Sequence, residues 1–392
     1  MLLTVNPFNV KRFRETIHGF EAEMTAEEAI ACSDPNAEQW WEINNHASAL
    51  YLTGRTEEAL EFAMKSLRIK RAIPNLVNMA VILETLSRFD DALKYAFEAC
   101  YLDKDDDRAK ALYGEALLRM GRLREGWPLY AKYRASHGWL LDYCKEWNGE
   151  NLNGKRLLVL EGGGYGDNIY FMRWLDTLRR EGAAIDYICQ PSFAPLVRHM
   201  GYTAIENWAG NVDIDFTKYD YFTSILGLAW KLGVTFNNYT YKPYVKKFFS
   251  PHIKSKVGFC WRSGEGKSPR KQRSLTVDHV ELITKSIPDD QLVNLTYAHD
   301  FPKHTPPIKD WLDTVKIMSG LDLIVTVDTG IAHLAGAMNI PVWVILPGAS
   351  AWQYPIYTDN HPFYPSMRMF RNEGEGIDHA VNMTILALRR GQ

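Results

Sequence analysis

A helical repeat occupies the first third of the chain. Three segments align, and each has the pattern of a helix, a tight turn and a second helix: ALYLTGRTEEALEFAMKSL, VILETLSRFDDALKYAFEA and EALLRMGRLREGWPLYAKY. Their turns fall at Gly54, Ser87 and Gly121, which are 33 and 34 residues apart. Each second helix carries a small residue that lets two helices approach closely, and these residues are Ala59, Ala92 and Gly126. Because one such unit cannot bury its apolar face alone, the period predicts a stacked array of helix pairs.

Composition excludes several classes of protein. With 46% hydrophobic and 23% charged residues, the 392-residue chain is typical of a globular protein of two or three domains. A formal net charge of −2 excludes a global basic field of the kind that drives nonspecific binding to nucleic acid or membranes. The five cysteines contain no CxxC pair, so neither a zinc site nor a disulfide framework is indicated. The first residues lack an apolar signal core, and no long apolar run occurs, so we expect a soluble cytoplasmic protein without membrane insertion.

A strand, a turn and a helix near residue 330 indicate a phosphate site. The run Leu321 to Val327 is apolar and β-branched, and a second such run follows from Ile340 to Leu346. Between them, Asp328-Thr329-Gly330 falls where the first strand ends and a helix of small residues begins. Free backbone N–H groups and the positive helix end would favour a diphosphate beside Thr329. The alternative is an ordinary turn, with Asp328 as the N-cap and His333 as a core polar residue.

A glycine loop follows a second predicted strand, Arg156 to Leu160. Its sequence, EGGGYGD from Glu161 to Asp167, does not match a dinucleotide-binding fingerprint, because Asp167 stands at the last glycine position. Glycine there permits a ligand to approach the backbone closely. A carboxylate facing a cleft at a helix start is suited to act as a general base on a bound hydroxyl. The alternative is that Asp167 caps a helix beginning at Asn168.

A cationic segment, WRSGEGKSPRKQR, follows the predicted strand that starts at Val257. Arg262, Lys267 and Arg273 are its candidate phosphate ligands, although it does not match a Walker A loop, since Trp261 stands where glycine is required. A solvated basic loop is the alternative. The tripeptide Asp213-Ile214-Asp215 has the form of a metal-binding pair, but such a tripeptide is common by chance. We therefore predict no metal site.

Strands alternate with helices over two successive stretches after the repeats, which predicts an α + α/β architecture with two doubly wound, Rossmann-like sheets facing each other across a cleft. We place a helical repeat domain at residues 1–138, a first Rossmann-like domain on the acceptor side at 139–250, and a second, donor-binding domain with a final helix at 251–392. Parallel sheets of this type bind ligands at the carboxyl ends of their strands. The candidate residues above should therefore meet in the cleft.

Together these features resemble a known family, the tetratricopeptide-containing glycosyltransferases of the GT-B fold, which are related to lipopolysaccharide heptosyltransferases and more distantly to protein O-linked N-acetylglucosamine transferases. The resemblance covers most of the chain, and its motifs occur in the same order as in the family: Trp147 to Gly154, the glycine loop ending in Gly166-Asp167, Gly258 to Trp261 with Arg273-Ser274, LDLIVTVDTGIAHLAGA, and the late stretches Trp352 to Tyr354 and Phe363 to Arg368. Two positions depart from the family pattern. Asn294-Leu295-Thr296 stands where relatives have a Ser-Leu-Gln-like triplet, which bears on recognition of the base or ribose. Gly163-Gly164-Tyr165 stands where relatives have a smaller apolar insertion before Gly-Asp, which bears on the acceptor side.

The resemblance implies transfer of a sugar from a nucleotide-diphosphate donor to a hydroxyl group, with inversion and without a required metal or cofactor. It implies that Asp167 is the catalytic base and that the donor is held by nine further residues: Gly164, Gly166, Arg262, Lys267, Arg273, Asp328, Thr329, Gly330 and His333. The repeats would dock a macromolecular acceptor, either a glycan or a protein. Three other functions stay open: transfer to hydroxymethylated bases of DNA, a different enzyme on the same scaffold such as a nucleotide-sugar epimerase, and a tetratricopeptide adaptor with an inactive cleft.

Overall fold

In a computed structural model, the structure describes residues 25–134, 141, 143–207, 214–249, 256–264, 273–297, 306–348, 350–372 and 376–391. The sequence also predicts an atypical capping helix or first repeat over Phe13 to Ile30, and most of that segment lies outside these ranges. The predicted domain boundaries, 138/139 and 250/251, also fall outside the described residues and stay predictions.

The described N-terminal region consists of helices that pack as successive antiparallel pairs, α2 with α3, α4 with α5 and α6 with α7. Their bounds are α1 Ala26–Ala31, α2 Trp40–Leu52, α3 Thr56–Ile69, α4 Ile73–Thr85, α5 Phe89–Leu102, α6 Asp107–Arg119 and α7 Leu123–Arg134. The three turn residues Gly54, Ser87 and Gly121 have positive φ angles of 84°, 60° and 76°, the left-handed conformation that reverses the chain within each pair. The predicted repeat is confirmed.

The small residues of the second helices are contact points, as predicted. Ala59 and Ala92 are fully buried. At Gly126 a β-carbon would lie 2.9 Å from the carbonyl oxygen of Gly114, so a larger residue would separate α6 from α7. The two helices of each pair can therefore approach closely because the repeat has a small residue at this contact.

The first sheet has four parallel strands in the order β3-β2-β1-β4. The strands are β1 Arg156–Leu160, β2 Ala184–Cys189, β3 Thr203–Glu206 and β4 Tyr221–Ser224, and the helices are α8 Tyr165–Met172, α9 Leu175–Arg180, α10 Ala194–His199 and α11 Leu228–Lys231. The order reverses between β1 and β4, so the crevice at their carboxyl ends is a topological switch point. The glycine loop begins directly beyond β1, at this crevice.

The second sheet has five parallel strands in the order β6-β5-β7-β8-β9. The strands are β5 Val257–Cys260, β6 Leu292–Asn294, β7 Leu323–Val327, β8 Val342–Leu346 and β9 Met367–Arg371, and the helices are α12 Val277–Thr284, α13 Trp311–Met318, α14 Gly330–Ala337 and α15 Asp378–Arg390. Its switch point lies between β5 and β7. The cationic segment follows β5 and Asp328-Thr329-Gly330 follows β7, so the topology brings both to one crevice. The predicted fold class is confirmed.

The last repeat is joined to both sheets by a shared core. Trp127 of α7 donates from Nε1 to the carbonyl of Val234 at 3.0 Å, and its ring lies edge-on to Trp352 with centroids 5.3 Å apart. Arg119 of α6 is buried, donates to the carbonyl of Ser350 and lies 3.7 Å from the carboxylate of Glu84 on α4. A buried charge of this kind fixes the orientation of the groups around it. The array is thus continuous with the two sheets.

Within the described residues, no helix combines the length and the hydropathy needed to cross a bilayer.

Candidate functional site

A cavity of about 1180 Å³ lies between the carboxyl ends of the two sheets. Its volume suits a ligand of nucleotide size or larger. Nine of the ten residues proposed from the sequence line it: Gly164, Gly166, Asp167, Arg262, Arg273, Asp328, Thr329, Gly330 and His333. Lys267 lies outside the described residues. Residues separated by up to 169 positions in the chain therefore meet where the strand order predicts.

One wall of the cavity is formed by the start of α14. Thr329 is the N-cap, and its hydroxyl accepts from the backbone N–H of Ile331 at 3.2 Å. The alternative that Asp328 caps this helix is wrong, because the Asp328 carboxylate points instead toward the cationic segment. The remaining N–H groups of the first turn and the helix dipole give this wall a positive end. It is suited to bind an anion.

Arg273 and Asp328 form an ion pair on the same wall. Nη1 of Arg273 donates to Oδ2 of Asp328 at 2.7 Å, and the Asp328 side chain is almost fully buried. The charge of Asp328, with a smaller contribution from Asp167, raises the pKa of the Arg273 guanidinium above its ordinary value. Nε of Arg273 is buried without a hydrogen-bond partner among the described residues. The pair is close to neutral overall, so net positive potential at this cavity comes from other groups, among them Arg262, Lys309 and the helix end.

Trp311 is a cavity residue that the sequence reasoning missed. A β-carbon at Gly330 would lie 2.5 Å from its ring, so glycine is required there for Trp311 to pack on the helix start. The ring of Tyr165 lies 5.1 Å from that of Trp311, and the Tyr165 hydroxyl contacts Ser192 at 2.7 Å. These contacts join the glycine loop to α13 across the cleft. No local pattern marks Trp311, because its position follows from the packing of two separate domains.

The opposite wall is the glycine loop with α8. This helix begins at Tyr165 with Gly164 as its N-cap, so the alternative that Asp167 caps a helix starting at Asn168 is wrong in its register. Asp167 lies in the first turn, where Oδ2 accepts from the backbone N–H of Gly164 at 2.8 Å. A β-carbon at Gly163, whose φ is 67°, would lie 2.4 Å from that oxygen. The carboxylate therefore has a capping contact and also lines the cavity.

The two walls touch where Gly166 meets His333. A β-carbon on Gly166 would lie 3.1 Å from Cδ2 of His333. Burial lowers the pKa of His333 to about 4, so the imidazole is neutral near pH 7. Its ring stacks on Tyr354 at 5.4 Å, and Nδ1 is buried without a hydrogen-bond partner among the described residues. His333 thus supplies shape and one polar atom at the cavity, but no positive charge.

Gln353 is the second residue that the sequence reasoning left without a role. Its Nε2 donates to Oδ1 of Asp167 at 2.6 Å across the cleft. The stretch Trp352 to Tyr354 carries part of the family resemblance, yet nothing in it indicates a contact to a residue 186 positions earlier. The carboxylate of Asp167 is therefore held on both oxygens, by Gly164 and by Gln353.

The repeat array supplies a third part of the lining. The apolar side chains of Ile73 and Val77 from α4 and the charged Arg108 and Glu115 from α6 border the same cavity. A molecule bound at the repeats would therefore share one cavity with a molecule bound between the sheets.

Among the described residues, no group of three or more His, Cys, Asp or Glu side chains is placed to hold a metal ion. Asp213 lies outside the described ranges. Asp215 is exposed, accepts from the backbone of Thr217 and pairs with Lys218 at 3.4 Å. Asp215 is thus accounted for by a surface turn.

No family model matches the chain. Protein FlbA of Caulobacter vibrioides is 26% identical over an alignment of 321 residues, gaps included, that covers 67% of this chain and 51% of FlbA, so the chain spans about half the length of this curated relative. The structure of the Escherichia coli heptosyltransferase WaaC with ADP has 11% identity and a TM-score of 0.40, over 60% of this chain and 98% of that one. A mutant O-GlcNAc transferase of Thermobaculum terrenum has 10% identity and a TM-score of 0.29, over 90% of this chain and 86% of that one.

These similarities are distant, and the architecture is established by the helices and strands of the chain itself. It consists of tetratricopeptide-like helical repeats followed by two Rossmann-like parallel sheets, as its sequence predicts.

Proposed function

We propose that the protein is a glycosyltransferase that moves a sugar from a nucleotide-diphosphate donor to a hydroxyl acceptor. The observation that carries the proposal is the meeting of two unlike walls in one cavity. One wall is a helix start with arginines beside it, which is suited to bind an anion, and the other carries a half-buried carboxylate. The order of the motifs along the chain, which resembles that of GT-B glycosyltransferases, supports the same function.

The donor diphosphate would lie at the start of α14. The hydroxyl of Thr329 and the N–H groups around Gly330 would contact its oxygens, and Arg262 would offset the charge that grows on the leaving diphosphate. We propose that Lys267, from the same cationic segment, also offsets this charge. Arg273 would place its guanidinium beside the diphosphate while Asp328 holds that group in position. A partly buried guanidinium that is already oriented by an ion pair loses little freedom when the anion binds.

Asp167 would act as the general base. Its carboxylate takes the proton of the acceptor hydroxyl while the hydroxyl oxygen forms a bond to the anomeric carbon. The bond from that carbon to the diphosphate oxygen breaks, and the diphosphate leaves with the electron pair. Attack from the side of Asp167 and departure toward α14 lie on opposite faces of the sugar, which inverts the anomeric carbon. By resemblance, we propose that no metal is required.

The acceptor is proposed to be a macromolecule, a glycan or a protein, bound along the repeats. The support is geometric, because Ile73, Val77 and Arg108 of the array border the cavity that contains Asp167. An array that ended far from the carboxylate would favour an adaptor role instead.

A binding screen tests the proposal. The purified chain is titrated with UDP, ADP, GDP, CDP and dTDP by calorimetry and thermal shift, with magnesium and with a chelator. We expect saturable binding of one diphosphate that the chelator does not abolish, and a rise in melting temperature by mass action. The matching nucleotide sugars are then tested for release of the diphosphate. If none of the five nucleotides binds, the adaptor with an inactive cleft replaces the transferase.

A further inference from the structure

The contact between Gln353 and Asp167 indicates a role beyond those proposed above. Gln353 is 7% exposed, and its amide donates to Oδ1 of Asp167 at 2.6 Å, while the N–H of Gly164 donates to Oδ2 at 2.8 Å. One donor on each oxygen fixes both the position and the rotation of a carboxylate. A general base has to be held in this way, since proton transfer requires hydrogen-bond geometry.

The backbone around Gln353 is itself held from both sides. Arg371 of β9 donates to the carbonyls of Tyr354 and Pro355, each at 3.1 Å, and to the hydroxyl of Ser350 at 2.5 Å. Arg119 of the repeat array donates to the carbonyl of Ser350. The segment Ser350 to Pro355 therefore cannot shift without breaking contacts to the second sheet and to the repeats. These contacts therefore also fix the backbone position of Gln353.

An amide is a neutral partner, and this distinguishes it from a cation at the same place. A guanidinium or ammonium would stabilise the ionised carboxylate as an ion pair and weaken it as a base. Oε1 of Gln353 is buried without a hydrogen-bond partner among the described residues. After rotation of the amide, this oxygen would accept from the carboxyl group once Asp167 has taken the acceptor's proton. The same side chain thus has a group suited to each protonation state of Asp167.

We propose that Gln353 is the positioning residue of the catalytic carboxylate, donating to Asp167 before proton transfer and accepting from it afterwards. The inference rests on the proposed transferase function. Among the described residues, the charged or titratable groups that line the same cavity include Arg262, Lys309, the Arg273–Asp328 pair, which is internally compensated, and His333 behind Gly166, which is neutral near pH 7 because burial lowers its pKa to about 4. These groups belong to the opposite wall and are unchanged by substitution of Gln353.

The test uses Gln353→Met, which keeps the size of the side chain and removes the hydrogen bond, and Gln353→Glu, which places a like charge beside Asp167. In protein labelled with ¹³C at aspartate carboxyls, the Asp167 signal is assigned by its loss in Asp167→Asn and followed against pH. We expect its titration midpoint to rise by about one unit in Gln353→Met and by more in Gln353→Glu. Gln291→Met, at a glutamine outside the cavity lining, should leave the midpoint unchanged.

Turnover of the nucleotide sugar is measured in parallel. For Gln353→Met we expect kcat to fall roughly 10- to 100-fold with unchanged donor affinity, and the acidic limb of the pH–rate profile to move to higher pH. A folded Gln353→Met protein with the wild-type midpoint overturns the proposal. If the wild type turns over no nucleotide sugar, the transferase function fails, while the carboxyl titration still decides whether Gln353 holds Asp167.

Discussion

The two walls of the cavity carry the same topology and opposite chemistry. Each begins just beyond the carboxyl end of a strand beside a switch point, β1 in the first sheet and β7 in the second. On the first wall the charged group is Asp167, held by an amide and a backbone N–H. On the second, Asp328 is paired with Arg273 at 2.7 Å, so its charge is compensated. Asp328 is thus compensated by a direct hydrogen bond to a guanidinium.

This difference assigns different tasks to two residues that look alike in the sequence. A carboxylate that accepts from an amide and a backbone N–H at the edge of a cavity is suited to take a proton from a bound hydroxyl. A carboxylate bonded to an arginine is a poor base, but it orients the guanidinium toward an anion. The variants below test that separation.

The largest effect is expected for Asp167→Asn. The amide cannot take a proton, so kcat should fall by roughly 10²- to 10⁴-fold, while affinity for the donor nucleotide stays near that of the wild type. Steady-state kinetics and calorimetry on the same preparations measure the two quantities. Asp313→Asn is the matched control, because Asp313 also lies in the first turn of a helix and accepts a backbone N–H, from Lys309 at 3.2 Å, but lies outside the cavity lining. Wild-type turnover by folded Asp167→Asn protein would exclude Asp167 as the base.

A second effect concerns stability at acid pH. It arises where Gly166 of the first wall meets His333 of the second, a contact that we call the seam. The pKa of His333 is lowered from 6.5 to about 4 by burial, so the unfolded chain takes up this proton at a higher pH than the folded one. The stability associated with His333 is therefore complete above pH 6.5 and is lost as the pH falls toward 4. By pH 5 the loss should be on the order of 2 kcal/mol.

Urea unfolding of the wild type and His333→Phe at pH 7, 6 and 5 measures this loss. The free energy of unfolding of the wild type should fall more steeply toward acid, because phenylalanine has no proton to bind. His361, whose pKa burial also lowers, is present in both proteins and cancels in the comparison. Parallel curves would show that His333 titrates near its ordinary pKa and that the seam is hydrated.

A third, smaller effect is expected on the second wall. Arg273→Lys keeps the charge but removes the fork that contacts Asp328 and the proposed diphosphate together. We expect the dissociation constant of the nucleotide diphosphate to rise roughly tenfold, about 1.4 kcal/mol, with a smaller change in kcat. Arg198→Lys is the control, since Arg198 pairs with Glu206 at 2.8 Å away from the cavity lining. An equal loss of turnover in Arg273→Lys and Asp167→Asn would contradict the division of tasks between the walls.

The sequence was sufficient to predict that the candidate residues at strand ends lie together in one cavity. Asp328, Thr329, Gly330 and Asp167 follow apolar runs directly, and parallel topology brings such positions together. The repeat period likewise predicted the turns, including Ser87, whose φ of 60° is unusual for a residue other than glycine. These features depend on residues close in the chain or on strand order.

The remainder depends on contacts that no local pattern encodes. Gln353 reaches Asp167 from the other domain, and Trp311 packs on Gly330 from a separate helix. The register of α8 was missed because a carboxylate in the first turn caps a helix start as well as one at the N-cap does. Tertiary packing selects one of these local alternatives, and the contacts that make up this packing are not visible in a single sequence.

The smallest expected effect comes from Gly166→Ala, which acts on the distance between the walls and leaves their charged groups in place. The new β-carbon would lie 3.1 Å from His333, a side chain that is 3% exposed and packed between Tyr170 and Tyr354, so it has little room to move. We expect a loss of about 1 kcal/mol in stability. For stability alone, Gly264→Ala controls for the loss of glycine itself, because a β-carbon there meets no atom of the described residues within 4 Å; Gly264 lines the cavity, so it is not a control for kcat. Because the first wall would move away from the second, kcat of Gly166→Ala should fall more than its affinity for the nucleotide. A variant that loses stability but keeps kcat would mean that the carboxylate and the diphosphate site tolerate a change in their separation, and that the seam serves the fold alone.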